Sequence, residues 1–163
     1  MTKASSASPA PAYVWEDVKM KNACLQYRCI KCCLDTKMPL SNSDIVRIRS
    51  LGFPEDFFVL KKNVNRRLRN LSGRCVFHNG QRCTIYNCRP EGCQIYPVVF
   101  SDDVGEAVLD SYCPHHGKFQ LTPGISRKVI RLVRKLDAEK THVSETHRNA
   151  QRQGIRESKP SAY

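Results

Sequence analysis

Apolar and polar residues alternate along this chain with two periods, and the switches between them mark its parts. The helical period is clearest near the C-terminal end. Ile125, Val129, Leu132, Val133 and Leu136 fall within a ~100° arc at ~100° per residue, with Arg127, Lys128, Arg131, Arg134 and Lys135 outside it. Thr122 can cap this helix and Pro123 suits its first turn; from about Ala138 the pattern fades into polar sequence. A second helix is marked by the S-x-x-D pair Ser41 and Asp44, the apolar positions Ile45, Ile48 and Leu51, and Gly52 as a left-handed stop. Pro54 opens a third through Glu55, Asp56, Phe57 and Phe58. Weaker periodicity over Lys61 to Asn70 is read as helix.

The period of two follows. Arg74 to His78 and Arg82 to Tyr86 flank Asn79-Gly80, a favoured pair for a type I′ hairpin turn. Gln94 to Phe100 and Glu106 to Tyr112 read as two more strands, with Pro97 bulging the first or placing it at an edge. These elements predict an α+β fold: a small cysteine-rich domain over residues 13–137, with a short antiparallel sheet and flanking helices. Residues 1–12, rich in Ser, Ala and Pro, are expected to be a disordered arm, and 138–163 a polar basic tail. Tyr13, Val14 and Trp15 open the ordered part.

The cysteines change the picture most. Nine occur in 163 residues, and seven of them fall in Cys29, Cys32, Cys33 and Cys75, Cys83, Cys88, Cys93. The start has no apolar stretch of ~7–15 residues, so no secretory signal is expected, and no run reaches the ~18 apolar residues of a membrane span. A cytoplasmic location follows as the expectation, and there thiols stay reduced. The odd count and the adjacent pair Cys32-Cys33 also weigh against disulfides. Thiolates in groups suit a soft divalent metal or an iron–sulfur cluster. Cys29-x-x-Cys32 is a spacing at which two sulfurs meet one metal. Cys32 and Cys33 diverge, and so are better suited to different metals or to one multinuclear cluster. Cys75 and Cys83 stand near-opposite across the predicted hairpin. Only one C-x2-C occurs, against two in a zinc ribbon, so an iron–sulfur cluster such as [4Fe–4S] is favoured over zinc.

The stretches KCCLDTKMPLSNSDIVRIRSLGF (31–53), RCVFHNGQRCTIYNCRPEGCQIYPVVF (74–100) and DSYCP (110–114) resemble the YkgJ-like cysteine-cluster (CxxCxxCC) family, a zinc- or iron-chelating domain. The resemblance implies a metal-binding domain with Cys29, Cys32, Cys33, Cys75, Cys83, Cys93 and Cys113 as ligands. Arg89-Pro90 and Tyr96-Pro97 match the family's R-P and aromatic-Pro. The chain departs from the pattern twice. Gln26 stands where the first cysteine is usual, with Cys24 nearby, and Cys88 falls where the family usually has none. The family also contains a flagellin lysine N-methylase, which implies an enzyme acting on a protein substrate as the alternative to a structural or redox metal protein.

Charge adds a third reading. The net charge is +12, and Lys61, Lys62, Arg66, Arg67, Arg69 and Arg74 form a stretch without an acid. RNA or ribosome contact is one expectation, with this stretch and Arg127, Arg131 and Arg134 forming one positive surface. Balancing thiolate charge is the other, since four thiolates on one Zn²⁺ leave about −2. Aromatic residues that would stack bases are absent from 61–74. Cys113-Pro114-His115-His116 holds a thiol and imidazoles as sequence neighbours, a pattern that rarely makes a nucleophile and base; imidazole is also a potential ligand. His142 and His147 lie in polar sequence. No P-loop, G-x-G-x-x-G, nucleophile elbow or H-E-x-x-H is present, which leaves a nucleotide-dependent enzyme without support.

Overall fold

The computed structural model describes residues 26–157, with side chains through residue 146. The readings of 1–12, of Tyr13, Val14 and Trp15, and of Cys24 fall outside the described residues, as does the side chain of His147.

Helix α1 spans Asn42–Arg49 and begins with the predicted reciprocal cap. Asp44 N donates to Ser41 Oγ at 3.2 Å, and Ser41 N donates to Asp44 Oδ2 at 3.2 Å. Asp44 is fully buried, where a carboxylate needs partners. It also accepts from Arg47 Nη2 at 2.6 Å and from the backbone N of Glu91 at 3.0 Å. Arg47 Nη2 donates onward to Arg89 O at 2.9 Å. One capping residue thereby fastens α1 to the segment leading to Cys93. Gly52 ends the helix region at φ +93°, as its lack of a Cβ allows. Helix α2, Glu55–Phe58, follows Pro54 as predicted.

The segment 61–70 is not helical. Strand β1, Val59–Lys62, pairs antiparallel with β2, Asn65–Leu68, and Lys62 stands opposite Asn65 across the Asn63-Val64 turn. Val59 and Leu68 are a buried cross-strand pair. The basic residues beyond them lack the three-to-four-residue apolar repeat a helix buries.

The predicted Asn79-Gly80 hairpin survives as one bridge, His78 to Cys83. A type I′ turn needs positive φ at both central residues, and here only Gly80 has it, at +101°. Asn79 instead uses its side chain, Oδ1 accepting from Gln81 N and Arg82 N, each at 3.0 Å. The tight reversal lies earlier. Ser72 and Gly73, at φ +50° and +73°, join β3, Asn70–Leu71, to β4, Arg74–Cys75.

Residues 91–95 also differ from expectation. They form α3, Glu91–Ile95, started by Pro90 with Glu91 in its first turn. The Tyr96–Pro97 peptide is cis. Strand β5, Val98–Ser101, then pairs antiparallel with β6, Glu106–Leu109. The final helix, α4, spans Pro123–Glu157, with Ile125 N donating to Thr122 Oγ1 at 3.3 Å. It continues helical through the sequence read as a polar tail, where Lys140 pairs with Asp137 one turn away at 2.9 Å.

The elements enclose two cores. One gathers Leu40, Ile45, Ile48, Phe58, Val59, Leu68, Cys75, Phe77 and Ile85. The other gathers Ile95, Val98, Ala107, Ile125, Val129 and Leu132, where α4 lies on β5–β6. The fold is α+β, with its strands in two-stranded antiparallel sheets. No helix among the described residues is long and apolar enough to cross a membrane.

Candidate metal centre

Beside the first core is a cavity of about 90 Å³, several times the ~10–15 Å³ that one water needs. Six of the seven cysteines singled out by the resemblance line it: Cys29, Cys32, Cys33, Cys75, Cys83 and Cys93. They arrive from three places. A 3₁₀ turn, Lys31–Cys33, presents the N-terminal group. Strand β4 and the His78–Cys83 bridge present Cys75 and Cys83. Helix α3 presents Cys93. Two groups some forty residues apart in sequence thus share one space. Cys29, Cys33, Cys75, Cys83, Cys88 and Cys93 are thiols, not disulfides.

The thiols interact through their charges. Burial pushes Cys93 well above the usual thiol range, with repulsion from Cys75, Cys32 and Cys83 adding to it and Arg89 opposing. Burial also raises Cys75 and Cys83. In each of these two, the backbone N–H two residues on, of Phe77 and of Ile85, works the other way by hydrogen-bonding the sulfur. Such N–H groups favour the anionic form a metal requires. Arg89 is fixed for its part: its guanidinium lies 3.8 Å from the Tyr86 ring centroid, and its Nε donates to Tyr86 O at 3.0 Å. It is the cation acting on Cys83 and Cys93.

Two neighbours of the thiols escaped the residue-by-residue reading. His78 lines the cavity, and its Nδ1 accepts from Gly80 N at 3.1 Å. A neutral ring that accepts at Nδ1 carries its proton at Nε2, so it is arranged as a donor and not as a ligand. Burial, then Arg74, lowers its pKa and keeps it neutral. Tyr96, matched only as part of an aromatic-Pro pair, also lines the cavity. Its Oη is buried and makes no hydrogen bond of normal geometry. Burial, then nearby Asp110, Cys113 and Cys32, drive its phenol far above the usual value, so it remains a proton donor. With the Asp110 carboxylate beside it as an acceptor, this buried hydroxyl stands at the edge of the thiol cavity, placed as a donor to an anionic metal–thiolate group. The thiol-only donor set fits zinc or an iron–sulfur cluster and not a hard cation.

Cys113 is buried but is not among the cavity-lining residues; it lies close enough to Tyr96 to act on its phenol. Cys88 sits half-buried in the 3₁₀ turn Tyr86–Cys88 and also does not line the cavity. His115 stacks on Tyr27 with centroids 4.4 Å apart, and His116 Nδ1 lies 2.7 Å from Cys113 O. His116 therefore engages the Cys113 carbonyl and is no base for its thiol. Among the described residues no three cysteine, histidine or acidic side chains meet at the spacing of one metal ion. The thiols surround a volume; they do not converge on a point.

A model of the CxxCxxCC family, described as "Putative zinc- or iron-chelating domain", matches residues 23–114. No curated protein and no solved structure matches the chain.

Proposed function

Because the chain belongs to the CxxCxxCC family of zinc- or iron-chelating domains, we propose that it holds an iron–sulfur cluster, in preference to zinc, through Cys29, Cys32, Cys33, Cys75, Cys83 and Cys93, with Cys113 as a further ligand, in a structural or redox role in the cytoplasm. The observation that carries this reading is the single cavity bounded by six thiols. One zinc ion and one [4Fe–4S] cluster each take four thiolates, and the preference for a cluster rests on adjacent Cys32 and Cys33 both lining the space. A multinuclear group takes thiolates spread around its volume, as these are. When bound, such a group supplies structural cross-linking and, for an iron–sulfur cluster, one-electron exchange. The chain's own part is to deliver thiolates from three segments, offset their charge with Arg89, and offer O–H and N–H donors from Tyr96 and His78.

Anaerobic purification with metal analysis, visible absorbance and Mössbauer spectroscopy tests it. Iron with sulfide is expected. Stoichiometric zinc in a colourless protein replaces the cluster with zinc, and absence of both metals overturns the reading. Cys75→Ser and Cys93→Ser are expected to lose metal, and Cys88→Ser to retain it.

A further inference from the structure

A second cavity, of about 290 Å³, lies between the β1–β2 hairpin and α4. Lys37, Lys62, Arg66, Arg67 and Lys140 line it, with no acidic residue among the lining side chains. Two of these cations are already paired. Arg66 Nη2 meets Glu139 Oε2 at 2.7 Å, and Lys140 Nζ meets Asp137 Oδ1 at 2.9 Å. The Arg66–Glu139 pair also fastens the hairpin to α4 and so fixes the walls of the cleft. Lys37, Lys62 and Arg67 have no carboxylate within ion-pair distance among the described residues. Arg67 is held in place by its backbone, opposite Leu60 in the hairpin and bridged to Pro39. Its Nε is buried and has no hydrogen-bond acceptor. That atom is closed to solvent and so faces protein; Arg67 lines the cleft with its other atoms.

We propose that this cleft binds a phosphate group, drawn by the positive charges of Arg67, Lys62 and Lys37. Phosphate matches the site because a tetrahedral oxyanion accepts from several directions at once, while the cleft offers cations and no acceptor carboxylate. The Arg127, Arg131 and Arg134 stripe does not belong to it. At ~100° per residue these three lie opposite Leu136 and Lys140 on α4, and all three are exposed. The positive surface expected to unite them with Lys61–Arg74 is therefore two surfaces facing apart. The phosphate has two candidate sources, the backbone of a nucleic acid and a small phosphorylated compound.

The test is an NMR titration of the metal-loaded full chain at low salt, following the backbone amide resonances of Lys62 and Arg67 with inorganic phosphate and, separately, with oligouridylate. A saturable shift of those resonances is expected, together with about tenfold or more weaker binding in Arg67→Gln. Lys37→Gln/Lys62→Gln, both exposed in the parent, guards against misfolding as the explanation and is expected to weaken binding without changing metal content. Tighter binding of oligouridylate, with a log–log salt slope of roughly −0.7 per phosphate contacted, assigns the source to a nucleic-acid backbone. Equal or tighter binding of inorganic phosphate assigns a small ligand. No saturable shift with either probe, or affinity unchanged in both variants, overturns the site. Metal content is read in every sample, so loss of the metal reading and loss of this one are separable.

Discussion

The two cores of this molecule rest on different physics. Under α4, Ile125, Val129 and Leu132 pack on Val98 and Ala107 as a continuous apolar layer between an amphipathic helix and a hairpin. Fully burying each of the larger side chains is worth roughly 1.5–3 kcal/mol, and nothing else is required to complete that layer. The other core includes Cys75, has Cys33, Cys83 and Cys93 packed against it, and borders a cavity. Its scaffold is the eight-residue α1, the single turn of α2, four- and two-residue strands and 3₁₀ turns, short elements that do not persist on backbone hydrogen bonding alone. One half is complete as folded; the other is built around whatever its thiols hold.

Metal removal is the sharpest way to break that comparison. Anaerobic chelation is expected to lower the melting temperature by roughly 10 °C or more. Hydrogen exchange should lose protection first at Cys75–His78 and α3, while β5, β6 and the first turns of α4 stay protected. Uniform loss across both halves would show that the two cores do not differ as argued.

Gly92 on α3 sits where the halves meet. A Cβ placed there would run into Met38 Sδ from the first core's rim and lie 3.7 Å from Leu132 Cδ2 of the second. Gly92→Ala is expected to cost about 1–3 kcal/mol by overpacking, measured by denaturant unfolding of loaded protein. Adding Met38→Ala should recover part of that loss, because the clash is with one flexible side chain. Additive losses would mean that Met38 is not what the methyl meets.

The same contrast explains what could be read along the chain. Residues 123–137 were legible because a helix burying one face writes its period of 3.6 into the sequence. The Ser41–Asp44 cap was legible because it is local. The extra partners of Asp44, Arg47 and Glu91 N, were not, because the latter comes from a segment forty-seven positions on. The cysteines were legible as a set by their grouping, and the family pattern chose the six that line the cavity plus Cys113. The hairpin at 59–68 was missed since its buried residues, Val59 and Leu68, sit at the far ends of a basic run. The Asn79-Gly80 signal misled because the Asn79 side chain satisfies the turn without a second positive φ. Tyr96 became visible as a site residue only once the fold placed its hydroxyl beside the thiols.

A smaller effect separates the halves by pH. Burial holds the Cys75, Cys83 and Cys93 thiols above their usual range in the unloaded protein. As pH rises past the ordinary thiol value of about 8.5, the unfolded chain releases these protons while the folded chain retains them. Stabilisation from the protonated thiols is complete below that pH and is lost as pH climbs toward their folded values. Metal-free protein should therefore unfold more easily in alkali, and metal uptake, which needs thiolates, should strengthen over the same range. The apolar core contributes no such dependence. Urea unfolding of metal-free protein between pH 7 and 10 measures it, and a flat profile would contradict the burial of these thiols.

The smallest expected effect is also the most discriminating, because it is read in the loaded protein. Tyr96 Oη is buried with the Asp110 carboxylate beside it as its acceptor. In metal-free protein, Tyr96→Phe gives up only the contact with Asp110 while keeping the ring, so stability should fall by no more than about 1 kcal/mol. In loaded protein the phenol, kept protonated by burial and by Asp110, has thiolates to donate to. There the same change should weaken metal retention by a few-fold and, for a redox-active cluster, lower its reduction potential, since a hydrogen bond to thiolate sulfur favours the reduced, more negative state. Chelator-challenge rates and protein-film voltammetry on the pair of proteins read both quantities. A larger destabilisation of the metal-free form with unaltered metal retention would place the hydroxyl among the packing of the second half and remove it from the metal centre.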